Sequence, residues 1–316
     1  MSLSRRSFLK LAGVGAAGLA AASAGSRPAS AASSIADAAG HPSMLYDTTL
    51  CVGCRACQTA CRSWNETKPE RDPAGLYDAP TDLSADTWTV IQLYIDENRP
   101  KPAPDRSNWS FIKRNCMHCL DPACVSACTV GALEKDPAGP VTYNLDKCFG
   151  CRYCMVACPY HVPRYQWWTT VPLVQKCTFC FGYTTLAGGT HPKNRLAQGK
   201  GPNCVEACPT GALVWGTRQQ MLDEAHRRIA AHPGKYHENR VYGEFEGGGT
   251  LQLILSHVPF AKLGLPTLGP RPLPEGTAPS NRAVPFVVVG VSALATVIYN
   301  LRGRAEQRND AGEVSS

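Results

Sequence analysis

The chain has 316 residues, of which 44% are hydrophobic and 18% charged, and its formal net charge is +7. Aromatic residues account for only 8% of it and the mean hydropathy is −0.20, which excludes a large conventional hydrophobic core. The strong compositional deviation is the count of sixteen cysteines, so their spacing is the first guide to the fold.

The N-terminus carries an export signal. Ser4-Arg5-Arg6-Ser7-Phe8-Leu9-Lys10 is a twin-arginine motif, and an apolar run rich in Ala and Gly follows from Leu11 to Ala24. Ala29-Ser30-Ala31 supplies the small residues of a cleavage site, which predicts a signal peptide over residues 1–31. The alternative, an N-terminal anchor helix, is disfavoured by the glycines of the apolar run, and the mature chain is therefore expected outside the cytoplasm.

The sixteen cysteines form four blocks of four, and none is left over. The blocks are block one (Cys51, Cys54, Cys57, Cys61), block two (Cys116, Cys119, Cys124, Cys128), block three (Cys148, Cys151, Cys154, Cys158) and block four (Cys177, Cys180, Cys204, Cys208). Blocks one and three have the CxxCxxCxxxC spacing by which bacterial ferredoxins hold a [4Fe–4S] cluster, with the fourth thiolate ligating a neighbouring cluster. Four complete blocks predict four [4Fe–4S] clusters and hence an electron-transfer protein.

Disulfides and zinc are weaker interpretations of the same cysteines. An exported chain could form disulfides, but cysteines two or three residues apart seldom bridge, and disulfide frameworks belong to shorter chains. Zinc sites use separate CxxC pairs, which only block four resembles, through its gap between Cys180 and Cys204. The chain has no CxxCH motif, so haem c is not indicated.

An internal duplication relates blocks two and four. Cys124-Val-Ser-Ala-Cys128-Thr-Val-Gly-Ala-Leu133 recurs as Cys204-Val-Glu-Ala-Cys208-Pro-Thr-Gly-Ala-Leu213, and each copy is predicted to be a cluster-binding loop, a short helical turn and a strand. Asp136-Pro137-Ala138-Gly139 predicts a hairpin turn between two short strands. Ferredoxin domains have this βαββαβ plan, so we expect an α+β fold.

Two further elements are predicted beyond block four. Thr217 to Ala231 has the pattern of an amphipathic helix, with Thr217 as its N-cap and Pro233-Gly234 after its end. Leu251 to Leu255 predicts a strand. Trp167-Trp168, beside block three, fits simple packing, shielding of a cluster or a contact with a partner.

A membrane anchor is predicted near the C-terminus. Ala283 to Tyr299 is uncharged and apolar, and at ~1.5 Å per residue it reaches ~25 Å, the short end of what spans a bilayer. Three arginines follow it (Arg302, Arg304, Arg308), which places the C-terminus in the cytoplasm. The alternative, a buried core helix, is disfavoured because polar, proline-rich chain precedes the segment.

The charge of the mature chain does not indicate a nucleic-acid partner. Residues 1–31 contain four basic residues and no acidic one, so their removal lowers the net charge from +7 to +3. Each oxidised cluster with four thiolates adds about −2, which brings the loaded protein to about −5. The scattered basic residues are therefore expected to offset cluster charge.

Four cysteine-containing motifs carry a family resemblance. They are Cys51-Val-Gly-Cys-Arg-Ala-Cys57, Cys116-Met-His-Cys119-Leu-Asp-Pro-Ala-Cys124, Cys148-Phe-Gly-Cys-Arg-Tyr-Cys154-Met-Val-Ala-Cys-Pro159 and Gly201-Pro-Asn-Cys-Val-Glu-Ala-Cys-Pro-Thr-Gly-Ala-Leu213. Together they resemble the four-cluster ferredoxin-type subunits of membrane-bound respiratory oxidoreductases, over roughly residues 44–300. The leader, Met44-Leu-Tyr-Asp47, Arg152-Tyr-Cys-Met-Val156 and the anchor are similar to the hydrogenase-2 iron–sulfur subunit. Asp82-Leu-Ser-Ala-Asp-Thr-Trp-Thr-Val90 is closer to the formate dehydrogenase beta subunit.

The resemblance implies two interleaved ferredoxin-like lobes. Lobe one covers residues 44–112 and 160–235 and holds blocks one and four, whereas lobe two is inserted at residues 113–159 and holds blocks two and three. Residues 236–282 would form a C-terminal extension, 283–300 the transmembrane anchor and 301–316 a cytoplasmic tail. The ligands implied are Cys51, Cys54, Cys57 and Cys208 for cluster one; Cys61, Cys177, Cys180 and Cys204 for cluster two; Cys116, Cys119, Cys124 and Cys158 for cluster three; and Cys128, Cys148, Cys151 and Cys154 for cluster four.

The resemblance also implies the role of the chain. It would be a non-catalytic subunit on the periplasmic side of a bacterial cytoplasmic membrane, relaying electrons between an exported NiFe hydrogenase and an integral membrane subunit that interacts with quinone. The alternative partner is the catalytic subunit of a molybdenum or tungsten formate dehydrogenase. Lobe two would lie nearer the membrane, and lobe one would meet the catalytic subunit.

Two functions of other classes are disfavoured by the sequence. A stand-alone iron–sulfur enzyme would need an incompletely ligated iron, against which the full set of sixteen cysteines argues, and no acid–base, nickel or flavin motif is evident. A self-contained soluble carrier is disfavoured by the predicted anchor.

Overall fold

A computed structural model describes residues 37–69, 80–96, 108–182 and 194–313, without the side chains of 278–282, 285 and 304–313. The predicted signal peptide lies outside the described residues. The strands are β1 (Pro42–Asp47), β2 (Val90–Ile95), β3 (Trp109–Arg114), β4 (Leu133–Lys135), β5 (Val141–Tyr143), β6 (Arg164–Tyr165), β7 (Val174–Gln175), β8 (Leu213–Thr217) and β9 (Gln252–Leu255). The α-helices are α1 (Ala56–Asn65), α2 (Ala123–Ser126), α3 (Tyr153–Ala157), α4 (Asn203–Glu206), α5 (Arg218–Ala231) and α6 (Leu273–Glu313).

The largest sheet has β1 at its centre, in the order β8-β1-β9. β1 runs antiparallel to β8 and parallel to β9, and Met44 lies opposite Trp215 and Gln252. Side chains alternate between the faces of a strand. Leu45 accordingly packs in a small core with α5, whereas Met44 and Tyr46 belong to the large core that contains the buried cysteines. One face of the sheet thus packs on α5, and the other face packs on the core that contains the cysteines.

Helix α5 confirms the amphipathic helix predicted from the sequence. Its N-cap is Thr217, whose hydroxyl accepts a bond from the Gln220 amide, while the Gln220 side chain accepts one from the Thr217 amide. Arg228 binds the buried carboxylate of Asp47 at 3.2 Å, to which the Tyr236 hydroxyl also donates at 2.9 Å. These bonds fix α5 against β1.

The remaining strands form three two-stranded hairpins, β2-β3, β4-β5 and β6-β7. The β4-β5 hairpin is the one predicted around Asp136–Gly139, with Leu133 opposite Tyr143. The predicted duplication is also visible: α2 and α4 are both four residues long, follow a proline N-cap and lead to a short strand, β4 or β8. The fold is therefore of the mixed α and β type that the sequence indicates.

Helix α6 is longer than the apolar segment from which the anchor was predicted. It begins at Leu273, inside the predicted C-terminal extension, and ends at Glu313. Pro274 is compatible with this start because proline fits the first turn of a helix. Within α6, Phe286–Gly303 is apolar enough to cross a membrane, with a mean hydropathy of 1.5 and no buried residue. The body to Pro274 and the segment from Glu275 are separate compact units.

Candidate iron–sulfur centres

None of the sixteen cysteines forms a disulfide, and all sixteen lie in the described part of the chain. The disulfide interpretation of the sequence is therefore not supported. Within the same described ranges, no three His, Cys, Asp or Glu side chains converge closely enough to hold one metal ion. A structural zinc ion requires such convergence, with ligands at ~2.0–2.3 Å. A [4Fe–4S] cluster does not, because its four irons take one thiolate each.

Helix packing brings block one beside block four. α1 carries Cys57 and Cys61, α4 carries Cys204, and the two helices pack against each other. The Asn203 side-chain amide donates to the carbonyl of Ala60 at 2.8 Å, which joins the two helices. This pairing positions Cys57, Cys61 and Cys204 close together.

Block two lies beside block three in the same way. α2 carries Cys124, α3 carries Cys154, and these helices also pack together. The turns that precede α1 and α3 match as well, because Arg55 and Arg152 both adopt left-handed backbone conformations as N-caps. The two helix pairs are thus variants of one arrangement, although the spacing of block four differs from the other three.

The thiols of blocks one and four fall into two groups, according to which thiolates affect one another's pKa. Burial raises the pKa of the Cys51 thiol, and negative charge on Cys208 and Cys54 raises it further. Burial likewise raises the pKa of the Cys61 thiol to about 12, with the next largest contributions from Cys177 and Cys204. Cys180 has its strongest thiolate interactions with the latter group: Cys204, Cys61 and Cys177. These neighbours correspond to the implied ligands of clusters one and two.

The thiols of blocks two and three fall into two further groups. Burial raises the pKa of the Cys119 thiol, followed by the charges of Cys158 and Cys116. Burial raises the pKa of the Cys154 thiol to about 11, and three other thiolates raise it too. Those three belong to Cys128, Cys148 and Cys151. The groups correspond to the implied ligands of clusters three and four.

Two interactions between thiols of different groups link the implied ligand sets of clusters one to four, called sites one to four below. Negative charge on Cys204 affects the Cys57 thiol, which brings site two next to site one. Negative charge on Cys177 affects the Cys116 thiol, which brings site two next to site three. The implied ligands of clusters three and four share the α2–α3 pair, so these links relate the implied sets in the order one, two, three, four.

Exposure increases toward the two ends of this line. All four implied ligands of cluster two are buried, and two of those of cluster three are. Clusters one and four have one buried ligand each, Cys57 and Cys154, and Cys54 of cluster one is exposed. The ends of the line are therefore the parts closest to solvent or to a partner.

Apolar side chains are exposed on the segments around the implied ligands of cluster four. They are Phe149, Tyr153, Val156, Trp167, Trp168 and Val171. The guanidinium of Arg152 lies 4.4 Å from the centre of the Trp167 ring, and Trp167 is 53% exposed. Because both tryptophans are exposed, simple core packing does not account for the Trp167-Trp168 pair. A partner surface suits such an exposed aromatic group.

The surroundings of the thiols are compatible with binding of iron ions in place of their protons. Buried thiols with raised pKa values, such as Cys57 at about 12, keep their protons until a metal replaces them. Sulfurs also take part in hydrogen bonds: Cys128 accepts one from the Ala132 amide at 3.1 Å, and the Cys154 sulfur lies 2.9 Å from the Tyr165 hydroxyl, its hydrogen-bond partner. Hydrogen bonds of this kind tune iron–sulfur clusters.

Three lysines among the cysteines, two of them buried and Lys135 partly buried, were not singled out by the sequence analysis. The ammonium of Lys176 donates to the carbonyl of Cys177 at 3.0 Å, and that of Lys135 to the carbonyl of Cys119 at 2.9 Å. The Nζ of Lys113 has no hydrogen-bond partner among the described protein atoms, although the side chain is buried. The sequence signal was the position of each lysine: Lys176 precedes a cysteine directly, and Lys113 lies three residues before Cys116.

Comparison with known proteins gives a consistent result. Residues 107–218 match the family described as a 4Fe-4S dicluster domain, which includes blocks two, three and four. A protein of Nitratidesulfovibrio vulgaris is 42% identical over 312 residues, covering 96% of this chain and 78% of its own length. The hydrogenase-2 operon protein HybA of Escherichia coli is 40% identical over 289 residues, 84% of each chain. The iron–sulfur subunit of the nitrate-inducible formate dehydrogenase of Escherichia coli is 36% identical over 240 residues, 74% of this chain and 75% of the subunit.

Proposed function

This chain belongs to the family of [4Fe–4S] electron-transfer subunits that includes HybA and the iron–sulfur subunits of formate dehydrogenases, and we propose that it holds four clusters in a line from a catalytic subunit to a membrane subunit. The observation that carries the proposal is the packing of α1 on α4 and of α2 on α3, which brings block one beside block four and block two beside block three. When bound, the clusters supply one-electron transfer.

The ligand sets proposed are those implied by the family resemblance, with three cysteines from one block and the last cysteine of its partner block. The neighbours of Cys51, Cys61, Cys119 and Cys154 support one set each. In this arrangement the cysteines bind and position the clusters, the buried lysines offset their charge, and the surrounding apolar side chains exclude water from sites two and three.

Cluster four is proposed to face the integral membrane subunit and cluster one the catalytic subunit. The exposed aromatic side chains around block three support a protein contact at cluster four. The exposure of Cys54 supports electron uptake or release at cluster one. Arg5-Arg6 and helix α6 support a location on the periplasmic side of the membrane, with a cytoplasmic C-terminus after Gly303. In this proposal the basic residues offset the negative charge of the clusters, and nucleic acid is not a partner.

A NiFe hydrogenase is the catalytic partner we propose, because the hydrogenase-2 operon protein shares more identity and a larger part of its length with this chain than the nitrate-inducible formate dehydrogenase subunit does. The formate dehydrogenase catalytic subunit is the second candidate, supported by the 36% identity to that subunit. Purification of the complex from solubilised membranes, followed by identification of the large subunit that accompanies it, distinguishes them: nickel indicates the first, and molybdenum or tungsten the second.

The direction of the line is tested with a matched pair of ligand variants, Cys54→Ser and Cys154→Ser. In the complete complex, Cys54→Ser should prevent the catalytic subunit from reducing the chain, while a chemical reductant still does. Cys154→Ser should leave reduction by the catalytic subunit intact but abolish reduction of quinone. Rapid-freeze EPR separates the two results, and the opposite pattern would show that the orientation is reversed.

A further inference from the structure

The side chain of Lys113 is buried, although a lysine in a β-strand is normally exposed to solvent. It lies in β3, opposite Ile91 of β2, and is 1% exposed. Its neighbour Ile112 is also buried, although successive residues of a strand point to opposite faces. Both faces of β3 are therefore covered here, and the ammonium is enclosed in the protein.

The ammonium of Lys113 differs from those of Lys176 and Lys135 in having no acceptor among the described protein atoms. Lys176 and Lys135 donate to backbone carbonyls. Over the described part of the chain, neither a hydrogen bond nor an ion pair satisfies the Nζ of Lys113. Burial of an unpaired ammonium is strongly unfavourable, and an anion in the space that it faces would stabilise it.

The charged groups that act most strongly on this ammonium are thiolates of two proposed sites. Its electrostatic neighbours are Cys204, Cys57, Cys177 and Cys61. Three of these are proposed ligands of cluster two, and Cys57 is a proposed ligand of cluster one. Because a [4Fe–4S] cluster with four thiolates is anionic and gains a further negative charge on reduction, clusters at these sites would supply the missing anion.

We propose that Lys113 is a buried counter-charge at the junction of clusters one and two, where it donates to the sulfur atoms of cluster two and raises its reduction potential. This inference rests on the proposed function. Lys113 binds no substrate and is a positioning residue, since it acts only through the charge it holds beside the ligands. A positive charge stabilises the reduced state more than the oxidised state, and the effect should be largest at cluster two.

The test is an EPR-monitored redox titration of the complete complex carrying Lys113→Met, Lys113→Gln or Lys113→Arg. Iron and sulfide are measured first: a wild-type content well below about sixteen of each would overturn the four-cluster proposal itself. At full iron content, the neutral variants should lower the reduction equilibrium constant of cluster two about tenfold, or about 59 mV. Cluster one should shift less and cluster four not at all, and Lys113→Arg should stay near wild type.

Lys147→Met is the matched control, because Lys147 is also near a proposed ligand but is exposed and pairs with Glu134. It should shift no potential. If the neutral variants lose iron while Lys113→Arg retains it, the charge is needed to hold the clusters, which supports the proposal. Equal loss in Lys113→Arg, or unchanged potentials in fully loaded neutral variants, would overturn it.

Discussion

The hydroxyl of Tyr165 lies 2.9 Å from the sulfur of Cys154, and both side chains are buried. Tyr165 is in β6, whereas Cys154 is in α3, so the hydrogen bond joins two separate elements of the chain. The Tyr165 ring also packs at 5.9 Å from that of Trp167, at the edge of the exposed aromatic group. A single tyrosine thus connects a proposed ligand of cluster four to the surface where a partner is expected.

Replacement of Tyr165 by phenylalanine should lower the midpoint potential of cluster four. Reduction adds negative charge, which the hydroxyl stabilises by donating a hydrogen bond. Loss of the hydroxyl should therefore lower the midpoint potential by up to about 59 mV, a tenfold change in a one-electron equilibrium. The measurement is a redox titration followed by EPR. Tyr143→Phe is the control, because the Tyr143 hydroxyl binds the Gln175 side chain at 3.1 Å. An unchanged potential in fully loaded Tyr165→Phe would contradict the prediction.

The exchange of ligands between blocks predicts which cluster each cysteine affects. Cys158→Ala should perturb cluster three although it leaves block two intact, and Cys128→Ala should perturb cluster four although it leaves block three intact. Each variant should contain about four iron atoms fewer than wild type, or a three-iron cluster at the altered site. EPR identifies the affected cluster. If each variant instead perturbs the cluster of its own block, the ligand sets are wrong.

Removal of helix α6 should separate the iron–sulfur body from the membrane. The body to Pro274 is a compact unit, and Phe286–Gly303 is the candidate span, so truncation after Pro274 should give a loaded subunit that fractionates with soluble periplasmic protein in cells lacking the partner subunits. Fractionation and iron analysis provide the measurement. Retention of the truncated chain in those membranes would mean that α6 is not its anchor.

Export of the chain should depend on the arginine pair that precedes the apolar run. Arg5-Arg6 changed to Lys-Lys should leave the precursor in the cytoplasm, because the twin-arginine route requires that pair. A single change of Lys10 to Arg keeps the pair and serves as the control. Normal amounts of the Lys-Lys variant in the periplasm would contradict the predicted route.

The cap of helix α5 should be worth about 1 kcal/mol to its first turn, since Thr217→Ala removes one half of a capping box. Exchange of the amide hydrogens in that turn should accelerate about fivefold. Thr169→Ala is a suitable control, because the Thr169 hydroxyl binds only the carbonyls of Gln166 and Val171. Equal exchange rates in the wild type and in Thr217→Ala would show that packing on β1, rather than the cap, holds the turn.

The sequence by itself determined the features that depend on residues close together in the chain. The spacing of the cysteine blocks predicted [4Fe–4S] chemistry, Asp136–Gly139 predicted the β4-β5 hairpin, and Thr217 predicted the start of α5. These are local relationships, since a loop, a turn or a cap is fixed by the few residues that form it. The bounds of α6 could not be predicted in this way, because hydropathy detects the apolar segment and not the helix ends.

Only the tertiary structure decided which distant residues meet. Packing of α1 on α4 places Cys208 near Cys51, and β3 carries Lys113 into the space between two cysteine sites. A lysine in an alternating strand is expected at the surface, and nothing in its own neighbourhood of sequence says that both faces of the strand are covered. That information resides in the packing of elements that are far apart along the chain, and burial then turns an ordinary lysine into a charge that must be matched by an anion.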